Sequence, residues 1–197
     1  MKKKVILFLV GLIFLSGCRT NGRQIDANFD INVYKDYMTE DNKVDSLNYL
    51  MTNDEKDLSL LGNLMDGLVE TDKYGNLKAA IAQDVGVSSS EDTVWEFSIK
   101  DDIAWVDAAG EKTGQFVKAD DFVCGLQYVL DHKNSAYYNE VIGLIQNARE
   151  YTEGKVSFSE VGVKAVNEYT VRYTLINPCP YFNTYLIPFL FSINIIS

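Results

Sequence analysis

The sequence predicts a small mixed unit in which helices alternate with strands, some of them antiparallel. Three observations carry this expectation. Apolar residues recur at helical spacing over 119–130, residues alternate strictly over 94–99, and a second alternating stretch is split by a turn at Asn167-Glu168. The elements are too varied for a sandwich of many short strands.

Taken in order, the chain opens with Lys2, Lys3 and Lys4, followed by the apolar run from Val5 to Leu15. Such a run is too short for a hydrocarbon core that needs about 20 residues, and it reads as a signal segment. Leu15-Ser16-Gly17-Cys18 then places small residues before a cysteine that can take a diacylglycerol thioether, so residues 1–17 are read as a lipoprotein signal peptide and Cys18 as the lipid attachment site. Residues 18–30 are polar and aperiodic, which suits a flexible tether.

A short strand is expected near 44–50, where Leu47, Tyr49 and Met51 alternate. From Asp57 the period changes, and Leu58, Leu61, Leu64, Met65 and Leu68 share one helical face, with Asn53 as a cap. Tyr74-Gly75-Asn76 marks a turn, followed by a short apolar segment from Leu77 to Val85. Trp95, Phe97 and Ile99 form the inner face of a half-buried strand. A second strand covers Ile103 to Val106, and Asp107 to Gly114 reads as a polar loop.

The clearest helix runs from Ala119 to Leu130, with Asp120 and Asp121 in its first turn, where the helix field favours acids. Another helix is expected over Tyr138 to Tyr151, broken by Glu153-Gly154-Lys155. Two strands then follow, one through Val161, Val163 and Ala165, the other through Tyr169, Val171, Tyr173 and Leu175, before Pro178 and Pro180 end regular structure.

Charge excludes some functions. The chain has 18 basic and 28 acidic residues; residues 1–17 hold three lysines and no acid, so without them the balance moves from -10 to -13. An acidic exported chain repels phosphate backbones, and no nucleic-acid partner is expected. Cys124 and Cys179 lie 55 positions apart with no metal-ligand spacing. The exported compartment permits a disulfide between them, and two separate small apolar side chains are the preferred reading.

Catalytic groups do not assemble. His132 has no nameable nucleophile or orienting acid and reads as a solvated loop residue. The pairs Asp101-Asp102 and Asp120-Asp121 are adjacent and therefore do not face each other. Neither a Gly-rich phosphate loop nor a calcium-loop spacing occurs. No enzyme activity, cofactor or metal is expected. Twelve tyrosines, ten phenylalanines and two tryptophans supply a core and, in part, recognition area. The lack of catalytic candidates combined with a surface tether favours capture over chemistry.

Residues 47–82, which include Asp66-Gly67-Leu68-Val69-Glu70, resemble the opening of the oligopeptide-binding group of solute-binding lipoproteins serving ABC importers (bacterial extracellular solute-binding proteins, family 5). The likeness continues through the Trp95 strand, Ile103-Ala104-Trp105, Ala119 to Val123, Tyr128 to Asp131, Asn147-Ala148 with Gly154-Lys155, Val161 to Val166, Tyr169-Thr170-Val171 and Asn177 to Phe182. Each motif is weak by itself; their ordered succession is specific. Lys118 departs from a usual capping threonine, Lys78 from a proline-adjacent position, and Cys124 and Cys179 stand where other residues are usual.

The resemblance implies an α/β fold of the periplasmic-binding-protein type II kind, with a mixed sheet and helices. It also implies short peptides as ligands, ABC permease subunits as partners, and membrane attachment through the N-terminal lipid. Carried onto this chain, residues 31–45 look like the start of the first large lobe, 46–180 like a small inserted α+β domain and 181–197 like a truncated return toward the lobe. No residue is assigned to ligand binding. Because the sequence stops where it should re-enter the first lobe, peptide capture is expected to be reduced or lost, and an apolar tail from Leu186 to Ile196 is expected to pack nowhere. The alternative is a lipid-anchored surface interaction or adhesion module that uses the small domain alone.

Overall fold

A computed structural model describes residues 44–107, 109–186 and 193–194, all within the unit Thr39–Ser197. The signal segment, Cys18 and the tether lie outside the described residues. The fold is mixed α and β, as expected.

The expected strand at 44–50 is absent. Asn48 closes turns instead: its carbonyl accepts from the Met51 and Thr52 amides, and its side-chain oxygen accepts from the Leu50 amide at 3.2 Å. Only Tyr49 of the alternating set is fully buried, against Leu61 and Met65. The next helix, α1 (Glu55–Leu61), is capped by Asp54 rather than Asn53, its carboxylate accepting from the Lys56 amide at 2.9 Å. It stops at Gly62, well short of the periodic pattern. Met65 is buried from strand β1 and Leu68 from the bend that follows it, because burial in a sheet and burial on a helix face draw on the same apolar residues.

Strand β1 (Met65–Asp66) pairs antiparallel with β10 (Ile193–Asn194). Strands β2 (Val69–Thr71) and β3 (Leu77–Ala79) form a hairpin around the expected Tyr74-Gly75-Asn76 turn. Lys78, the departure noted above, faces Glu70 across that hairpin and pairs with it at 2.9 Å.

The main sheet has four antiparallel strands in the order β4-β5-β9-β8: β4 (Val87–Ser88), β5 (Val94–Ser98), β9 (Thr170–Thr174) and β8 (Val163–Asn167). The period-two alternation sets its faces. Trp95, Phe97, Val163, Val171 and Tyr173 point inward, and Glu96, Lys164 and Arg172 point outward in one cross-strand row. Helix α2 (Ala119–Asp131) covers the inner face with Phe122, Leu126, Val129 and Leu130. Trp95 stacks on Phe97, Phe97 meets Tyr173 edge-on at 6.1 Å, and Phe182 lies 5.4 Å from Tyr173. These rings are the centre of the core.

Two further expectations are corrected. The helix expected over 138–151 is two, α3 (Tyr138–Leu144) and α4 (Ala148–Thr152). Between them Ile145 is extended and bridges Leu175, while Asn147 takes a left-handed φ of 57°. The last three residues of the expected loop, 112–114, already belong to strand β7 (Lys112–Phe116), which returns on β6 (Ala104–Val106). Asp107 tightens that hairpin by accepting from the Ala109 and Glu111 amides, each at 2.9 Å.

The tail expectation also changes. Leu186 is fully buried at the end of a 3₁₀ turn (Phe182–Leu186), and Ile193–Asn194 is held by β1. The cysteines stay apart, Cys124 exposed and Cys179 buried, each with an unpaired thiol.

Candidate functional site

The larger of two clefts, about 490 Å3, lies where the β6–β7 hairpin meets the start of α2 and the turn between β8 and β9. Trp105, Phe116 and Tyr169 give it aromatic walls, and Lys118, Asp121 and Glu168 give it charge. Backbone bonds fix the walls relative to one another: the Val117 amide donates to the Ile103 carbonyl and the Ala119 amide to the Glu168 carbonyl, both at 2.9 Å.

Lys118 occupies the cap position of α2 without a capping side chain. Asp121 makes the reciprocal half of a capping box, its carboxylate accepting from the Lys118 amide at 2.8 Å. The Lys118 ammonium instead reaches Glu168 at 2.9 Å, and that contact holds its pKa above the ordinary lysine value. The groove therefore presents three rings, one neutralised ammonium and a second carboxylate. Phe116 is 43% exposed at its rim.

A second, smaller cleft of about 140 Å3 lies on the open face of the main sheet, between Gln146, Glu160, Lys164, Arg172 and Thr174. Arg172 is tied to Glu96 at 2.5 Å. Lys164 stands directly across from Arg172, an unfavourable like-charge pairing that the Glu96 carboxylate offsets.

The sequence singled out few site residues, and the structure disperses them. His132 caps the C-terminus of α2 and stacks on Tyr128 with centroids 4.0 Å apart. Its Nδ1 donates to the Tyr128 carbonyl at 2.8 Å. Asp101 and Asp102 lie in an exposed turn. Asp121 serves the helix start. Among the described residues no group of His, Cys, Asp and Glu could hold a metal, and no helix is long and apolar enough to cross a membrane. The aromatic groove is not legible in the sequence, because Phe116 falls between the loop expected to end at Gly114 and the helix expected from Ala119, and Trp105 and Tyr169 carry only a strand pattern.

The sequence profile of the bacterial extracellular solute-binding proteins, family 5 Middle, matches residues 76–195. The chain belongs to this family. Family 5 members are transport-binding proteins without catalytic activity, in line with the sequence reading. Curated family relatives include the oligopeptide-binding protein AliB of Streptococcus pneumoniae serotype 4, 41% identical over 154 residues, covering 76% of this chain and 23% of AliB. The oligopeptide-binding protein SarA of Streptococcus gordonii is 40% identical over 141 residues, covering 71% of this chain and 21% of SarA.

Solved structures agree on the fold. The pheromone receptor PrgZ, described in its mode of peptide binding, superposes with a TM-score of 0.66 at 30% identity over 75% of this chain and 28% of its own. The substrate-binding domain of an oligopeptide ABC transporter from Bacillus anthracis str. Ames gives 0.67 at 28% identity over 79% and 29%. This chain thus spans less than a third of the family 5 proteins it matches.

Proposed function

We propose that this chain belongs to the substrate-binding component of an ABC importer that captures short peptides outside the membrane and hands them to permease subunits. The observation that carries the reading is the family 5 match over residues 76–195, with relatives named as oligopeptide-binding proteins at up to 41% identity. In this reading a lipid on Cys18 anchors the chain at the extracytoplasmic side, residues 18–30 form the tether, 31–45 begin the large lobe and 46–180 form the small inserted domain. In this reading the pairing of Met65–Asp66 with Ile193–Asn194 ties the inserted domain to the returning segment.

A two-lobed trap binds by enclosing its ligand between both walls, so residues 18–197 by themselves are expected to hold peptides weakly. Deletion of the gene from its host should lower uptake of a labelled short-peptide mixture and leave free amino-acid uptake unchanged. Unchanged peptide uptake would overturn the reading and favour a surface interaction module. Isothermal titration addresses the weak-capture part separately: micromolar or tighter binding of a short-peptide library by residues 18–197 sinks it.

A further inference from the structure

We propose that the groove between the β6–β7 hairpin and the start of α2 is a subsite for a basic side chain, an arginine or lysine presented by a peptide. The inference is independent of the importer reading, since it rests on the lining of this groove alone. Trp105, Phe116 and Tyr169 converge on a space of about 490 Å3, more than a guanidinium or ammonium group with its stem requires. Aromatic faces carry negative quadrupole density and attract cations placed over them, arginine above all.

The charges point the same way. Two carboxylates, Asp121 and Glu168, line the groove against one ammonium, and that ammonium is already taken up by Glu168 at 2.9 Å. An anionic ligand would meet both carboxylates with no uncommitted cation among the lining residues. A cationic ligand would meet the rings and could take Glu168 from Lys118. The whole chain, at -10, adds a field of the same sign. Lys118 is thereby a built-in competitor: its own ammonium occupies the position that a ligand's cation would seek.

That role gives the proposal an asymmetric test. The 15N-labelled full chain carries two indole N–H groups, Trp95 in the core and Trp105 in the groove. Titration with acetyl-Gly-Arg-Gly-amide should shift the Trp105 signal saturably, with an affinity on the order of millimolar, and leave Trp95 unmoved. The same peptide with neutral citrulline in place of arginine should bind several-fold more weakly. Phe116→Ser and Glu168→Gln should each weaken the arginine peptide roughly three- to fivefold. Lys118→Gln should tighten it about twofold or more, because Glu168 is released; a purely structural role for Lys118 predicts no gain.

Equal responses to arginine and citrulline, the absence of a saturable Trp105 shift, or weaker binding in Lys118→Gln would each overturn the assignment. Arginine-peptide binding that persists in Phe116→Ser with Trp105 silent would locate capture elsewhere, ending this proposal while leaving the importer reading intact.

Discussion

Asp57 is only 2% exposed at the third position of α1, yet its environment favours the charged form. The Asp45 amide donates to one carboxylate oxygen at 2.8 Å and the Thr52 hydroxyl to the other at 2.8 Å, and these bonds, the amide first, pull its pKa below the ordinary 3.8. A depressed folded pKa gives stability that is present in full above the unfolded value and lost as pH falls through the folded one. Asp57→Asn should therefore be less stable than wild type at neutral pH, with the gap closing only below about pH 4. Urea unfolding followed across that range checks it. The sequence marks Asp57 only as the point where the helical period begins. That its carboxylate is buried and pins the segment around Asp45 is a tertiary contact that no local pattern encodes.

Among the elements, those governed by one period were readable and those governed by a junction were not. Helix α2 and strands β5, β8 and β9 fall where their patterns put them, because Phe122, Leu126, Trp95, Phe97 and Val171 each serve a single buried face. The 138–151 stretch failed because Gln146 is recruited by the sheet. Its amide donates to the Thr174 carbonyl at 3.0 Å, and its carbonyl accepts from the Gly162 amide at 2.8 Å. Gly162 makes this junction possible: a Cβ there would lie 2.3 Å from the Thr174 carbonyl oxygen, a backbone atom with little room to retreat. Gly162→Ala should cost about 2 kcal/mol or more by forcing β8, β9 and the 145–147 link apart. Chemical denaturation measures the loss, and stability equal to wild type would show that the strands yield. Gly143 and Asn147 were the available hints of a break, and apolar periodicity outweighed them.

For the whole molecule, the core gathers aromatic rings whose hydroxyls are carried inside. Burial pushes the phenols of Tyr49 and Tyr173 well above the ordinary 10.0, and burial followed by the Glu140 charge pushes Tyr137 up to about 12. A raised folded pKa means the unfolded chain releases its protons first, so the contribution is intact below the unfolded value and fades as pH rises past it. Unfolding midpoints should hold steady to about pH 9.5 and then drop steeply, with phenolate absorbance rising in step with unfolding. A midpoint unchanged well above that pH would contradict the burial of these groups. The core was anticipated from the aromatic content, but its partition was not. Tyr173 and Phe182 are fully buried while Tyr74 and Tyr181 are largely exposed, and composition alone does not separate them.

The pairing of β1 with β10 has a kinetic meaning as well. Met65 meets Asn194 across nearly the whole described length of chain, so this contact closes a very large loop. Closure entropy grows only with the logarithm of loop length, so the penalty is bearable once the intervening sheet has drawn its ends together and prohibitive before. The hairpins and α2 close over far shorter spans and so form ahead of the β1–β10 contact, and until that contact closes β1 presents an unpaired edge to any other strand within reach.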